Sequence, residues 1–178
     1  MEQATKIADE FLDGDKLIVY TKGVNSEEHQ YKAKRERDGL FEKGKLVLLV
    51  DETSASASEV LAGALQDWDR ATIVGRRSFG KGLVQEQFDL SDHSALRLTV
   101  ARYYTPIGRS IQRPYANGAK VYYDEIMNRY HDGETQHADS VKNDTSKVYR
   151  TMGGKKVYGG GGISPDYFIA LDTTGLVG

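Results

Sequence analysis

Three groups of residues in this chain have types and spacing that could do chemistry. The first is the hydroxyl run Thr53-Ser54-Ala55-Ser56-Ala57-Ser58, closed by Glu59. Where a strand turns into a helix, free N–H groups and the positive end of the helix dipole face outward, so a serine nucleophile there would find oxyanion donors in place. The same Ser56-x-x-Glu59 spacing is a capping box, which is the plainer use of those residues. The second group is Lys81, with Phe79 close by and a glycine on either side. Unprotonated lysine can take the proton of a serine hydroxyl if burial against an apolar surface lowers its pKa. Taken alone, Lys81 reads as an exposed loop lysine. The third is Gly75-x-x-x-x-Gly80-Lys81, which has the outline of a phosphate-binding loop. Gly82 stands where a magnesium-binding Ser or Thr is required, and Leu83 to Phe88 read as strand rather than as the helix that would hold phosphate.

Other chemistries find less support. His29, His93, His131 and His137 all lie in polar, loop-like surroundings, and no Gly-x-Ser-x-Gly elbow is present. There is no cysteine and no His-Glu-x-x-His, so neither a thiolate nor a zinc site is expected, and no cofactor is indicated. With a net charge of −2 and scattered Lys and Arg residues, no nucleic-acid surface is expected. No apolar run approaches the ~18 residues of a membrane span. The 178 residues suffice for one domain with a sizeable core. Ala4, Ile7, Ala8, Phe11 and Leu12 form a helical pattern from the first residues with no leader before it, which suggests a piece cut from a longer protein.

The elements that must position these residues follow from periodicity. Leu46 to Val50 is continuously apolar and reads as a strand buried on both faces. Val60, Leu61, Ala64, Leu65 and Trp68 mark one face of a helix after Ser56, and Ala71 to Val74 is a second buried strand. Strand, helix, strand is a βαβ unit with a parallel pair, so the loops after Val50 and Val74 share one sheet edge, where ligand sites of α/β sheets lie. That shared edge makes a pairing of Ser56 with Lys81 feasible. Lys16 to Thr21 is strand-like, and Gln30 to Ala33 could pair beside it. Val84 to Leu90 and Ser94 to Thr105 suggest a β-hairpin with Leu96, Leu98 and Val100 on one face. Tyr122 to His131 reads as a short helix, Gly133 to Lys147 as a polar segment, and Val148–Tyr149 and Lys156–Tyr158 as brief strands. Four glycines, Gly159 to Gly162, allow close backbone approach or a hinge.

The chain resembles the C-terminal processing peptidases, or tail-specific proteases. The resemblance rests on Ser54-Ala-Ser-Ala-Ser-Glu59, Ala62-Gly-Ala-Leu-Gln-Asp67, Arg70-Ala71, Val74-Gly75, Phe79-Gly-Lys-Gly82 with Val84-Gln85, Leu96-x-Leu-Thr-Val-Ala-Arg-Tyr-Tyr-Thr-Pro106, Gly108-Arg-Ser-Ile-Gln112 and Gly162-Ile-x-Pro-Asp166, all in the family's order. It implies an α/β fold like the ClpP/crotonase spiral of βαβ units, with an additional β-hairpin and here an incomplete core. It implies a serine endopeptidase cleaving proteins near their C-terminus through an acyl-enzyme. Ser56 would be the nucleophile, Lys81, 25 residues on, the general base, Gln85 its orienting partner and the Ala57 N–H an oxyanion donor. An aspartate considered for the family's site maps to Asp67. Eleven helical residues span roughly 16 Å, so Asp67 is expected to be structural. Lys81 and Gln85 can meet only if the chain bends, which Gly82 permits.

The resemblance also implies protein or peptide partners held by their C-terminal tails, and a bacterial periplasm or cell-envelope setting. The family's PDZ domain, and the turn that supplies a second oxyanion donor, lie outside the 178-residue catalytic-core piece, and residues 114–158 form an insertion. The piece alone is expected to be inactive and to self-associate through apolar surface. The alternative function is a non-catalytic module of the same fold that holds an extended peptide by strand addition at the Gly159–Gly162 edge.

Overall fold

The computed structural model describes residues 2–34, 38–115 and 118–173. Its centre is the βαβ unit. β3 (Val47–Val50) and β4 (Thr72–Gly75) run parallel, with Val47 opposite Thr72 and Val50 opposite Gly75, and α2 (Ala57–Asp67) crosses between them. A short strand that the sequence does not signal, β9 (Tyr167–Phe168), extends the parallel sheet on the far side of β4.

Helix α2 carries small residues, Ala62-Gly63-Ala64, that let other backbones come close. A Cβ added at Gly63 would sit 2.8 Å from Thr105 Cγ2. The helix is therefore buried nearly all round, not on one face as its periodicity suggests. Its Val60 and Leu65 join Ile73, Ile111 and Ile163, together with Ala4 and Ala8 of α1 (Glu2–Asp9) and Ile18 and Val19 of β1 (Leu17–Lys22). Full burial of each large aliphatic chain contributes about 1.5–3 kcal/mol.

A second, antiparallel sheet has the order β2–β1–β6–β5, with β2 (His29–Lys32), β5 (Leu83–Asp89) and β6 (Ala95–Tyr104). β1 pairs only with the Arg102–Tyr104 end of β6, so the rest of the β5–β6 hairpin projects as a two-stranded ribbon. One strand read as buried on both faces is in fact half exposed: Val47 and Leu49 of β3 are 58% and 75% exposed, because β3 is an edge strand covered on one face only. Leu96 and Leu98, on one face of the β6 ribbon, are 46% and 45% exposed.

Residues 114–158 supply α3 (Gly118–His131), a 3-10 turn at Ala138–Ser140 and a hairpin of β7 (Val148–Arg150) and β8 (Lys156–Tyr158). The hairpin is moored to the end of α2: Met152 N–H donates to the Asp67 carbonyl at 2.8 Å, and Gly153 N–H to Asp69 Oδ2 at 2.6 Å. Among the described residues no helix is long and apolar enough to cross a membrane.

Candidate active site

β3 ends at Val50, and Asp51 shapes the turn after it. Its Oδ1 accepts from the N–H and hydroxyl of both Thr53 and Ser54. Those bonds, the Thr53 hydroxyl's first, hold the Asp51 carboxyl below the usual range. The chain then passes through Ser56 with φ 56° and ψ −110°, and α2 begins at Ala57. A serine at positive φ costs about 1–3 kcal/mol and persists only where its surroundings over-determine it. The turn has the form of the strained strand-to-helix elbow that presents nucleophiles in α/β-hydrolases, made here without the flanking glycines.

Glu59 holds that turn in place. It is fully buried, and its Oε2 accepts the Ser56 N–H at 2.8 Å. This is the carboxylate half of a capping box; the Glu59 N–H goes to the Ser56 carbonyl at 3.0 Å. The same carboxylate also receives the second loop. Oε1 accepts the Ser78 hydroxyl and the Gly80 N–H, each at 2.5 Å, and Oε2 accepts the Lys81 N–H at 2.8 Å. One oxygen therefore bridges the amides of Ser56 and Lys81, which lie at most twice 2.8 Å apart. Phe79 N–H donates to the Ser54 carbonyl at 2.9 Å and binds the two loops directly. Bonds to a charged group are worth about 1.5–3 kcal/mol each, enough together to offset burial of one carboxylate.

The glycines of this region answer close approach. Gly80 has φ +88°, and a Cβ there would lie 2.4 Å from Arg113 Cγ; Gly162 has φ +89°, and a Cβ would lie 2.6 Å from the Ser78 carbonyl oxygen. The run 159–162 packs against the lysine loop: Gly160 and Gly162 donate to the carbonyls of Ser110 and Ile111, and Ser78 N–H to that of Ile163. Those donors are used within the chain, which weighs against the run serving as a free edge for strand addition.

The residues expected at the site are placed as follows. Ser56 is half-buried and Ala57, whose N–H is the first of α2, is exposed. Lys81 is brought to Ser56 by its backbone; its side chain is exposed, and no hydrogen bond joins it to the Ser56 hydroxyl among the described residues. Gln85 is not brought to Lys81. It sits exposed on β5 opposite Thr99, just past an irregularity between Val84 and Gln85. The glutamine that braces the lysine loop is Gln112, buried, whose Oε1 accepts the Gly82 N–H at 2.8 Å. Asp67 lies at the far end of α2, fully buried, with Arg109 Nη2 at 2.6 Å. Burial pushes its carboxyl up, and Arg109 pulls it partly back. The glycine loop leads into strand β5, and all four histidines are exposed. No cluster of acids and histidines suited to a metal occurs among the described residues.

Glu59, Ser78 and Gln112 escape sequence reasoning as site residues. Glu59 carried a signal, the capping box, but its reach to residues 78–81 is tertiary. An open cleft of about 280 Å³ borders the loop after β3 at the carboxyl edge of β3 and β4, lined by Leu49, Ser54, Val74, Arg76 and Ile169 among others.

The sequence profile of Peptidase family S41 matches residues 1–121. The carboxy-terminal-processing protease of Bartonella bacilliformis is 43% identical over 112 residues, 63% of this chain and 25% of that protein. A probable CtpA-like serine protease of Staphylococcus haemolyticus is 37% identical over 112 residues, 62% of this chain and 22% of that protein. Among solved structures, the photosystem II D1 C-terminal processing protease superposes with a TM-score of 0.57 at 40% identity, covering 62% of this chain and 28% of that one. The chain thus spans about a quarter of the length of these curated relatives. The profile runs through both loops that meet at Glu59 and through β5 and β6, and on that ground this chain belongs to peptidase family S41.

Proposed function

We propose that the protein is a serine endopeptidase that cleaves other proteins near their C-terminus, with Ser56 as nucleophile and Lys81 as general base. The observation that carries this reading is the single Glu59 oxygen shared by the amides of Ser56 and Lys81, at a serine whose backbone is strained. Ser56 Oγ attacks the scissile carbonyl while its proton passes to Lys81 Nζ. The C–N bond then breaks, and the proton moves on to the leaving amine. Water hydrolyses the acyl-enzyme by the same relay. The Ala57 N–H faces the developing oxyanion at the helix start. Side-chain contact requires Lys81 to swing inward from its exposed position.

The names of the relatives support the C-terminal specificity. A ClpP/crotonase-like spiral, a PDZ domain for tail recognition and a periplasmic or envelope setting remain part of this proposal, as the motif resemblance in the sequence implies. The test is a fluorophosphonate probe and an unfolded substrate applied to the full-length enzyme. Labelling at Ser56 with turnover is expected. Turnover without labelling at Ser56, or labelling that survives Ser56→Ala, sinks the assignment.

A further inference from the structure

Between α3 and the loop after β4 lies a cavity of about 490 Å³, separate from the cleft at the edge of β3 and β4. Three buried arginines line it: Arg77, Arg113 and Arg129, 7%, 3% and 3% exposed. The charges around them do not balance. Arg77 forks onto Glu134, Nε to Oε1 at 2.7 Å and Nη2 to Oε2 at 2.6 Å. Arg113 and Arg129 share one carboxylate, Glu125. The remaining acids of the lining are committed elsewhere, Asp132 to Lys142 at 2.6 Å and Asp144 to Lys147 at 2.8 Å. One guanidinium charge is left without a counter-charge among the described residues.

Arg113 Nε and Nη2 and Arg129 Nη2 are buried without an acceptor among the described residues. A buried unmade bond to a charged group is expensive. Phe79 and Tyr122 crowd the Arg113 guanidinium, with ring centroids 4.4 Å and 4.1 Å from its Cζ and 6.4 Å from each other. Its two unpartnered nitrogens, Nε and Nη2, belong to one planar fork, and such a fork suits two oxygens in a plane.

We propose that this cavity binds a carboxylate. The group can come from a small free acid or from the C-terminal residue of a peptide. A volume of about 490 Å³ is far more than one carboxylate fills, which favours the peptide. The unpartnered nitrogens are closed to bulk water, so entry requires the α3 side chains Val121 and Tyr122, which line the cavity, to shift. An occupied site would bear on the lysine loop, since Arg129 Nη1 donates to the Ser78 carbonyl at 2.8 Å and Arg113 N–H to that of Gly80 at 3.0 Å. Binding itself does not depend on Ser56 chemistry.

The thermal midpoint of the purified chain is followed against N-acetyl-dialanine, its C-terminal amide, acetate and inorganic phosphate. The free acid is expected to raise the midpoint and the amide is not. A rise with acetate as well supports the site with a small acid as occupant. Arg129→Gln should abolish the rise. In case that variant does not fold, Asn128→Asp adds a negative charge to the cavity lining from an exposed position on α3 and should weaken binding about tenfold. The proposal is overturned by equal rises with acid and amide, by a rise with phosphate alone, by no rise with any probe, or by an undiminished rise in Asn128→Asp.

Discussion

Helix α2 and the outer part of the β5–β6 ribbon are both fully hydrogen-bonded, yet they are held by different means. In α2 every residue from Glu59 to Asp67 except Leu61 is buried, and a clamped carboxylate stands at each end. In the ribbon the ladder runs unbroken from Gln85–Thr99 to Asp89–Ala95, but Phe88, Leu96 and Leu98 stay 44–46% exposed. Backbone bonding alone leaves a two-stranded hairpin marginal in water. Packing and buried charge make α2 rigid enough to keep Ser56 strained. The lesson is that the strain sits where the structure is most over-determined, and substitutions at the two regions should differ accordingly.

The largest effect is expected at the two residues proposed to do the chemistry, whose side chains do not support the fold. In the full-length enzyme, Ser56→Ala and Lys81→Ala should each lower turnover by about 10³-fold or more while the thermal midpoint stays nearly unchanged. The reason is positional: both residues reach Glu59 through their amides, which the substitutions keep. Robust cleavage by either variant would end the dyad assignment.

Next come the two buried carboxylates of α2. Asp67→Asn leaves the Arg109 guanidinium, 1% exposed, without its counter-charge, and should cost about 3–5 kcal/mol in urea unfolding. Its kcat, measured on the folded fraction, should change only a few-fold, because Asp67 lies a full helix length from Ser56. Glu59→Gln should lower stability and turnover together, since an amide cannot take four donors on its one oxygen. Loss of turnover in Asp67→Asn at unchanged stability would show that the two ends of α2 do not divide these roles.

This division of roles was partly legible in the sequence. The hydroxyl run between two apolar strands marked Ser56, and the glycines around Lys81 marked a loop at the same sheet edge. The βαβ unit, the hairpin and the short insertion strands were all legible from local pattern. Partners supplied by distant chain were not. Gln85 is four residues from Lys81 but sits exposed on a strand opposite Thr99, while Gln112, thirty residues from Gly82, meets that residue's N–H. Arg77, Arg109 and Arg113 resemble surface charges in sequence and are buried, because their carboxylates arrive from other elements of the fold; Arg129 is buried too, on Glu125 one turn back along α3. Leu46 to Val50 reads as a doubly buried strand, since an edge strand of a parallel sheet carries the same apolar run.

Acid should separate α2 from α3. Burial would raise the Glu52 carboxyl, but bonds from Arg76 and Tyr130 outweigh it and hold Glu52 low. Glu125 is likewise raised by burial and lowered more by Arg129 and Arg113. Groups depressed in the folded state stabilise it above their unfolded pKa of ~4.3, and lose that contribution as pH falls through the folded values. Both tie α3 to the loops around it. Asp67 has the opposite sign: its raised folded pKa gives a contribution present below ~3.9 and lost as pH rises through the folded value. Hydrogen-exchange protection between pH 3 and 5 should therefore fall in residues 118–131 before it falls in residues 57–67. Simultaneous loss would show that α3 is not anchored by these two carboxylates.

The smallest effect is expected on the ribbon. Leu98 is 45% exposed opposite Glu86, with no buried residue of the core behind it. Leu98→Thr places a β-branched residue, which suits a strand, and removes apolar area that stays largely wet, so the change in unfolding free energy should stay within about 0.5 kcal/mol. Val60→Thr on α2 makes the contrast. Val60 is 2% exposed, and the new hydroxyl would have to be buried there, at about 1–3 kcal/mol if it finds no partner. Denaturant unfolding of the two variants side by side reads the difference. If Leu98→Thr costs as much as Val60→Thr, the exposed face of the ribbon is covered in solution, and its sheet is as much part of the packed structure as α2.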